Sequence, residues 1–149
     1  MRELEQKKIV FKTHSYVNTD AISGMEVASV LNEDPNYVFK TLVTIGKSGN
    51  HFVFLVPVNR ELNLKKAAKT VGEKSISMVK QAELLPLTGY IHGGCSPVGM
   101  KKLFKTVIDE SASSYDKIIF SGGKIGYQIE TTLSELKKAI SFILGDISE

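Results

Sequence analysis

The sequence predicts an α+β domain with a mostly antiparallel, barrel-like sheet. Three observations carry that expectation. Two apolar runs, 38–46 and 51–58, flank the loop Gly46-Lys-Ser-Gly-Asn50 and read as a β-hairpin. The elements follow the order strand, helix, hairpin, helix, glycine-rich segment, several strands, helix, with none of the repeated βαβ rhythm that builds a doubly wound parallel sheet. At 149 residues the chain fits one domain, large enough to bury about 68–70% of the surface it exposes when unfolded.

In order along the chain, Ile9–Tyr16 alternates loosely and reads as a strand. Ser23 is placed as a helix N-cap with Glu26 three residues on, the spacing of a capping box. That helix runs through Met25, Val27, Ala28, Val30 and Leu31 and stops near Asn32, before the turn Asp34-Pro35-Asn36. In the first hairpin strand Val38, Lys40, Leu42 and Thr44 share one face, and Phe39, Thr41, Val43 and Ile45 the other. Asn63–Val71 is a short amphipathic helix with Leu64, Ala67, Ala68 and Val71 as its stripe and Gly72 as its stop. Ser75–Met78 reads as a short strand, and Val79–Leu85 as a helix halted near Pro86. Lys102–Asp109, Lys117–Phe120 and Ile125–Ile129 read as strands. Leu133–Leu144 reads as a closing helix, capped by Thr132 with Glu135 three residues later.

Composition excludes several classes. The longest apolar run, Phe52–Val58, is far shorter than the roughly 20 residues that span a bilayer. The charged start Met-Arg-Glu-Leu-Glu-Gln-Lys-Lys lacks the apolar core of a signal peptide. A single cysteine leaves no internal disulfide and fits a reducing compartment, so a cytoplasmic protein with no membrane partner is expected. The net charge of +3 permits contact with RNA or another polyanion without demanding it, because the lysines are dispersed.

The reactive residue types are sparse. His14, His51 and His92 show no metal-ligand spacing, and His92, inside a glycine-rich stretch, reads as structural or as lining. Cys95 reads as a small buried hydrophobe, since nothing local would lower its thiol pKa. There is no Gly-x-Ser-x-Gly elbow, dinucleotide fingerprint or P-loop. What stands out is that the segments 89–99 and 121–126 hold seven of the twelve glycines. Without Cβ atoms, backbone N–H and C=O groups there can approach another molecule closely. The pair reads either as a pocket walled by main chain or as turns between strands. Lys40 interrupts an apolar run; it is either a solvent-facing strand position or a charge kept to meet an anion or a carbonyl.

These pieces occur in a fixed order: Tyr16 after a strand, Phe39-Lys40-Thr41-Leu42-Val43, Val56-Pro57, Gly89-Tyr-x-x-Gly-Gly-x-Ser-Pro-x-Gly99-x-Lys-Lys, and Ser121-Gly-Gly-x-x-Gly126. From about Val10 to Ile140 the chain resembles the YbaK/prolyl-tRNA-synthetase-associated editing family, in its branch of Cys-tRNA(Pro) deacylases. The resemblance implies one α+β domain over residues 1–149, with a barrel-like mixed sheet flanked by helices. It also implies hydrolysis in trans of an amino acid wrongly esterified to tRNA(Pro), with prolyl-tRNA synthetase as a possible partner and no metal or organic cofactor. Such editing is needed because a pocket discriminates weakly between near-isosteres. In this family the substrate's own thiol is thought to attack its carbonyl, which accounts for the lack of a protein nucleophile. The matching positions imply that Lys40 contacts the ester region or the terminal adenosine, while the Gly93, Gly94 and Ser96 N–H groups stabilise the oxyanion. Tyr16, Thr41 and Pro97 would line the pocket, and Ser121, Gly122 and Gly123 would form its opposite wall. Gln128 stands where some members carry a carboxylate; it can bond the substrate amine or ribose without supplying charge. Two other readings remain open on the sequence: deacylation of another mischarged tRNA such as Ala-tRNA(Pro), and a non-catalytic module that binds RNA ends or a synthetase.

Overall fold

Residues 9–21, 23–91, 94–100 and 104–149 are described by a computed structural model. In chain order the elements are β1 (Lys12–Ser15), α1 (Gly24–Val30), β2 (Phe39–Gly46), β3 (His51–Pro57), α2 (Leu64–Val71), β4 (Ile76–Met78), α3 (Gln81–Thr88), β5 (Lys105–Asp109), β6 (Ile118–Ser121), β7 (Tyr127–Thr131), α4 (Leu133–Leu136) and β8 (Ile143–Gly145). The starts of α1 and α2 follow their caps. Ser23 Oγ accepts the Glu26 N–H while the Glu26 carboxylate accepts the Ser23 N–H, a complete capping box for α1. Asn63 Oδ1 accepts the Lys66 N–H at the start of α2.

The hairpin β2–β3 organises the larger sheet, whose strand order is β4-β2-β3-β5-β8. β2 is antiparallel to β3 and β4, whereas β3–β5 and β5–β8 are parallel. β1-β7-β6 form a smaller antiparallel sheet. A parallel bridge between Val38 and Ile119 joins the two, so β6 adjoins the start of β2 and β4 adjoins its end. One core receives the inner faces of both: Phe39, Val43, Val53, Leu55 and Ile108 from the larger sheet meet Ile118, Phe120 and Ile129 from the smaller. The other face of the larger sheet is covered too. Phe52, Phe54, Val56 and Val107 pack beneath Ala67 and Ala68, the apolar stripe of α2.

The α+β class and the predominance of antiparallel pairing hold. The sheets do not close into a barrel, because the two ends, β1 and β8, do not pair among the described residues. Three element expectations are also corrected. α3 does not halt before Pro86 but runs through it to Thr88, losing only the bond that a residue-86 N–H would make. Leu84 packs into the core, Leu87 packs against it, and the Thr88 hydroxyl donates to Leu84 C=O at 2.8 Å, so packing holds the last turn. β7 begins at Tyr127, leaving Ile125 and Gly126 in a turn. The expected closing helix is four residues long, and Ile143–Gly145 instead add a parallel strand to β5. An open strand edge with hydrogen bonds to offer outweighs a weak helical pattern rich in isoleucine. Of the expected strand 102–109, residues 102–103 lie outside the described residues. Among those described, no helix is long and apolar enough to cross a membrane.

Candidate functional site

Strand register assembles the site. Two residues beyond the Val38–Ile119 bridge, Lys40 and Ser121 occupy the same face of adjoining strands. Ser121 stands opposite Gln128, and Gln128 opposite His14. Directly paired residues project from one side of a sheet, so Lys40, Ser121, Gln128 and His14 form a row on the face turned away from the central core. Lys40 is 29% exposed, and its Nζ lies 3.5 Å from a carboxylate oxygen of Glu61, itself 79% exposed. A pair this open to solvent is weak, and a substrate anion or carbonyl can displace Glu61. Thr41 projects to the opposite face, between Phe39 and Val43, and its buried hydroxyl has no hydrogen bond among the described residues. The register therefore separates Thr41 from Lys40.

The two glycine stretches meet at the end of β6. In the second, the Gly122 N–H donates to Tyr127 C=O at 3.0 Å and the Gly123 N–H to Ser121 Oγ at 3.3 Å. Gly126 C=O accepts the Tyr16 N–H at 2.8 Å, which ties Tyr16 to this turn while its ring packs with Ala21, Val27 and Leu31. In the first, a Cβ on Gly94 would lie 3.6 Å from the Ile125 nitrogen and 3.8 Å from Gly123 C=O. Tyr90 clasps both stretches: its hydroxyl donates to Val98 C=O at 2.5 Å, and its ring occupies the space a Cβ on Gly123 would need. Gly94, Ser96 and Pro97 are buried, and Ser96 Oγ accepts the Val98 N–H. The Gly94 N–H already donates to Ile91 C=O at 2.9 Å, so it is not a free oxyanion donor. Among the described residues no hydrogen bond engages the Ser96 N–H. Gly93 and His92 lie outside the described residues. Cys95 packs in the core; burial pushes its thiol up, only partly opposed by Thr88, which suits a packing residue and not a thiolate.

A charged cluster flanks the row. His14 Nε2 and Lys117 Nζ lie 2.9 and 3.6 Å from Glu130 Oε1. Burial raises the Glu130 pKa, but the His14 hydrogen bond and the charges of Lys117, His14 and Lys12 outweigh it and hold the carboxyl below its usual range. The Glu33 carboxyl lies in the same neighbourhood, and burial is the chief cause of its raised pKa. Sequence reasoning missed Glu33, Glu61, Lys117, Glu130 and the clasping role of Tyr90. The i, i+2 spacing of Gln128 and Glu130 was the available signal, since it puts both on one face. Two concavities lie elsewhere: a groove of about 540 Å³ lined by Leu133, Ser134, Lys137, Phe142, Ile143 and Leu144, and one of about 470 Å³ along α1. Neither includes the row. Among the described residues no group of three or more His, Cys, Asp or Glu is placed to hold a metal ion.

Comparison with known proteins places the chain among relatives. A protein of Enterococcus faecalis named EbsC, assigned as a Cys-tRNA(Pro)/Cys-tRNA(Cys) deacylase, is 45% identical over 131 residues, covering 87% of this chain and 80% of that one. A proline–tRNA ligase of Thermosipho melanesiensis is 31% identical over 117 residues, which are 78% of this chain but 20% of the ligase. A crystal structure described as a trans-editing enzyme for prolyl-tRNA synthetase superposes with a TM-score of 0.87 at 26% identity, covering 99% of this chain and 93% of that one. Residues 19–139, which contain Lys40, Gly94, Ser96, Ser121 and Gln128, match the model of the aminoacyl-tRNA editing domain, and the chain belongs to that family.

Proposed function

We propose that this protein is a deacylase that clears Cys-tRNA(Pro) in trans. The observation that carries the reading is the register that sets Lys40 beside Ser121 and the glycine turn, in a chain 45% identical to an assigned Cys-tRNA(Pro)/Cys-tRNA(Cys) deacylase. The ammonium of Lys40 faces the ester or the terminal adenosine once Glu61 yields. The Ser96 N–H, together with Gly93, meets the developing oxyanion. Gly94 packs against the turn at 123–125, where even a Cβ would make only ordinary van der Waals contact. Tyr16 and Pro97 line the amino-acid side, Thr41 supports it from the core face, and Ser121, Gly122 and Gly123 form the facing wall, with Gln128 beyond. The substrate thiol attacks its own carbonyl: a C–S bond forms, the bond to the ribose oxygen breaks, and the thiol proton passes to that oxygen. Water then opens the cyclic thioester to free cysteine. Holding thiol and carbonyl in an attack geometry is the main contribution asked of the protein.

In this reading residues 1–149 work as one editing domain in the cytoplasm, with aminoacyl-tRNA(Pro) as substrate and prolyl-tRNA synthetase as a transient partner that supplies tRNA selectivity. The test is deacylation of Cys-, Ala- and Pro-tRNA(Pro) by wild type and Lys40→Ala. Cys-tRNA(Pro) is expected to be cleaved, Pro-tRNA(Pro) spared, and Lys40→Ala to lose about 10²–10³-fold in kcat/KM with an unchanged Tm. Cleavage of Ala-tRNA(Pro) alone would move the substrate assignment. Salt-sensitive tRNA binding without turnover on any charged tRNA would reduce the protein to a binding module.

A further inference from the structure

Glu33 follows α1, held there by its N–H donating to Ala28 C=O at 2.8 Å. Its carboxyl sits among Gln128 and Glu130 of β7, His14 of β1 and Lys117 before β6. Both carboxylate oxygens of Glu33 and Oε1 of Gln128 are shielded from solvent, and the Gln128 amide is the hydrogen-bond donor beside the Glu33 carboxyl. Gln128 is 5% exposed and stands beside Ser121 in the row. Buried acceptors that are incompletely hydrogen-bonded are costly, and which end of an amide points where is fixed only by the hydrogen bonds around it.

Two arrangements relieve the cost. A protonated Glu33 donates its O–H to Gln128 Oε1, which turns the amide N–H groups toward the row. An ionised Glu33 accepts from Gln128 Nε2, which turns Oε1 toward the row. The aminoacyl ester of the deacylase reading carries an α-ammonium, which an amide oxygen attracts and an amide N–H repels. We propose that Glu33 is a positioning residue whose protonation sets which end of the Gln128 amide faces Lys40 and Ser121, and so whether the site accepts the substrate's ammonium. The substrate half of this inference rests on the deacylase reading; the geometric half rests on burial and register.

Burial pushes the Glu33 carboxyl above the ordinary carboxylate range, and Glu130 adds to the rise, while Gln128, His14 and Lys117 oppose it. The ammonium-accepting arrangement is therefore the one above the Glu33 pKa, and it is lost as pH falls through it. The loss appears in KM and not in kcat, because substrate that binds reacts in the same geometry.

Two measurements test this. In side-chain amide NMR of the free protein, the Gln128 resonances are expected to titrate with a midpoint above the ordinary carboxylate range. They are expected to be flat in Glu33→Gln and to keep titrating in His14→Asn. In kinetics, KM for Cys-tRNA(Pro) is expected to rise about tenfold across the same midpoint in wild type, the scale of one hydrogen bond to a charged group, and to stay level in Glu33→Gln with kcat unchanged. Gln128 resonances that do not move, or that move equally in Glu33→Gln, overturn the proposal, as does a KM step that survives Glu33→Gln. An intact NMR titration with no hydrolysis of any charged tRNA at neutral pH overturns the deacylase reading alone.

Discussion

On the larger sheet, the face turned away from the central core carries Phe52, Phe54, Val56 and Val107 beneath α2. On the smaller sheet, the same side of the strand pattern carries Lys12, His14, Ser121, Gln128 and Glu130. Both obey the same two-residue alternation, yet one face is apolar and covered while the other is polar and holds charges in mutual contact. A second apolar layer contributes stability without chemistry. A face of charges contributes little stability, since burying each charge costs about what its partners return, but it leaves groups whose protonation and orientation a ligand can exploit. Lys40 belongs to the first sheet by strand and to the second by neighbour, which is why a lysine interrupts so apolar a run.

The largest expected effect lies on the covered face. Phe54 is fully buried between β3 and α2, and Phe54→Ala is expected to cost about 3–5 kcal/mol, read as a lowered denaturation midpoint in urea. Deacylation per folded molecule should be unchanged. A loss of activity beyond the unfolded fraction would mean that the two faces are not separable.

That division was half legible in the sequence. The capping box at Ser23, the hairpin and α2 follow from local chemistry and were read correctly, because each signal lies within a few residues of the element it sets. The parallel strand β8 was read as helix: nothing inside Ile143–Gly145 announces that the edge of β5 is open to it. The site shows the same limit. Lys40 and the glycine stretches stand out as departures from their surroundings, whereas Glu33, Glu130 and Lys117 are ordinary surface residues until pairing of β1, β6 and β7 gathers them. The Val38–Ile119 bridge, which creates the row, is a contact 81 residues apart in sequence, as their numbers show.

A smaller effect is expected at the far end of the larger sheet, where one carboxylate is used for structure alone. Asp109 is 2% exposed. Its Oδ1 accepts the N–H groups of Ile147 and Ser148, and its Oδ2 that of Ser111, pinning the chain end to β5. Burial alone would raise its pKa, but the hydrogen bonds from Ser111, Ser148 and Ile147 outweigh it and hold the carboxyl below its usual range. A carboxyl with a depressed folded pKa contributes stability that is complete above its unfolded pKa of about 3.9 and is lost as pH falls through the folded value. Asp109→Asn is expected to cost about 1–3 kcal/mol at neutral pH and to flatten the acid limb of the stability profile. An unchanged acid limb would show that other carboxylates control it. Activity at neutral pH should be untouched, unlike that of a variant in the polar row.

The finest test compares two glycines with nearly the same φ. Gly123, in the turn at the site, has φ +94°, and Gly49, in the β2–β3 hairpin, has φ +93°. Alanine at either position bears the left-handed penalty of about 1–2 kcal/mol. Gly49 has nothing within 4 Å of a new Cβ, whereas at Gly123 that atom would lie 2.9 Å from the Tyr90 ring. Gly49→Ala is therefore expected to lower Tm by the backbone term alone and to leave deacylation intact. Gly123→Ala is expected to lower Tm further and to reduce kcat/KM, because moving Tyr90 or the turn disturbs the Gly123 N–H bond that orients Ser121 Oγ. Equal losses of stability in the two variants, with activity retained in both, would show that Tyr90 yields freely and that the turn does not need its clasp.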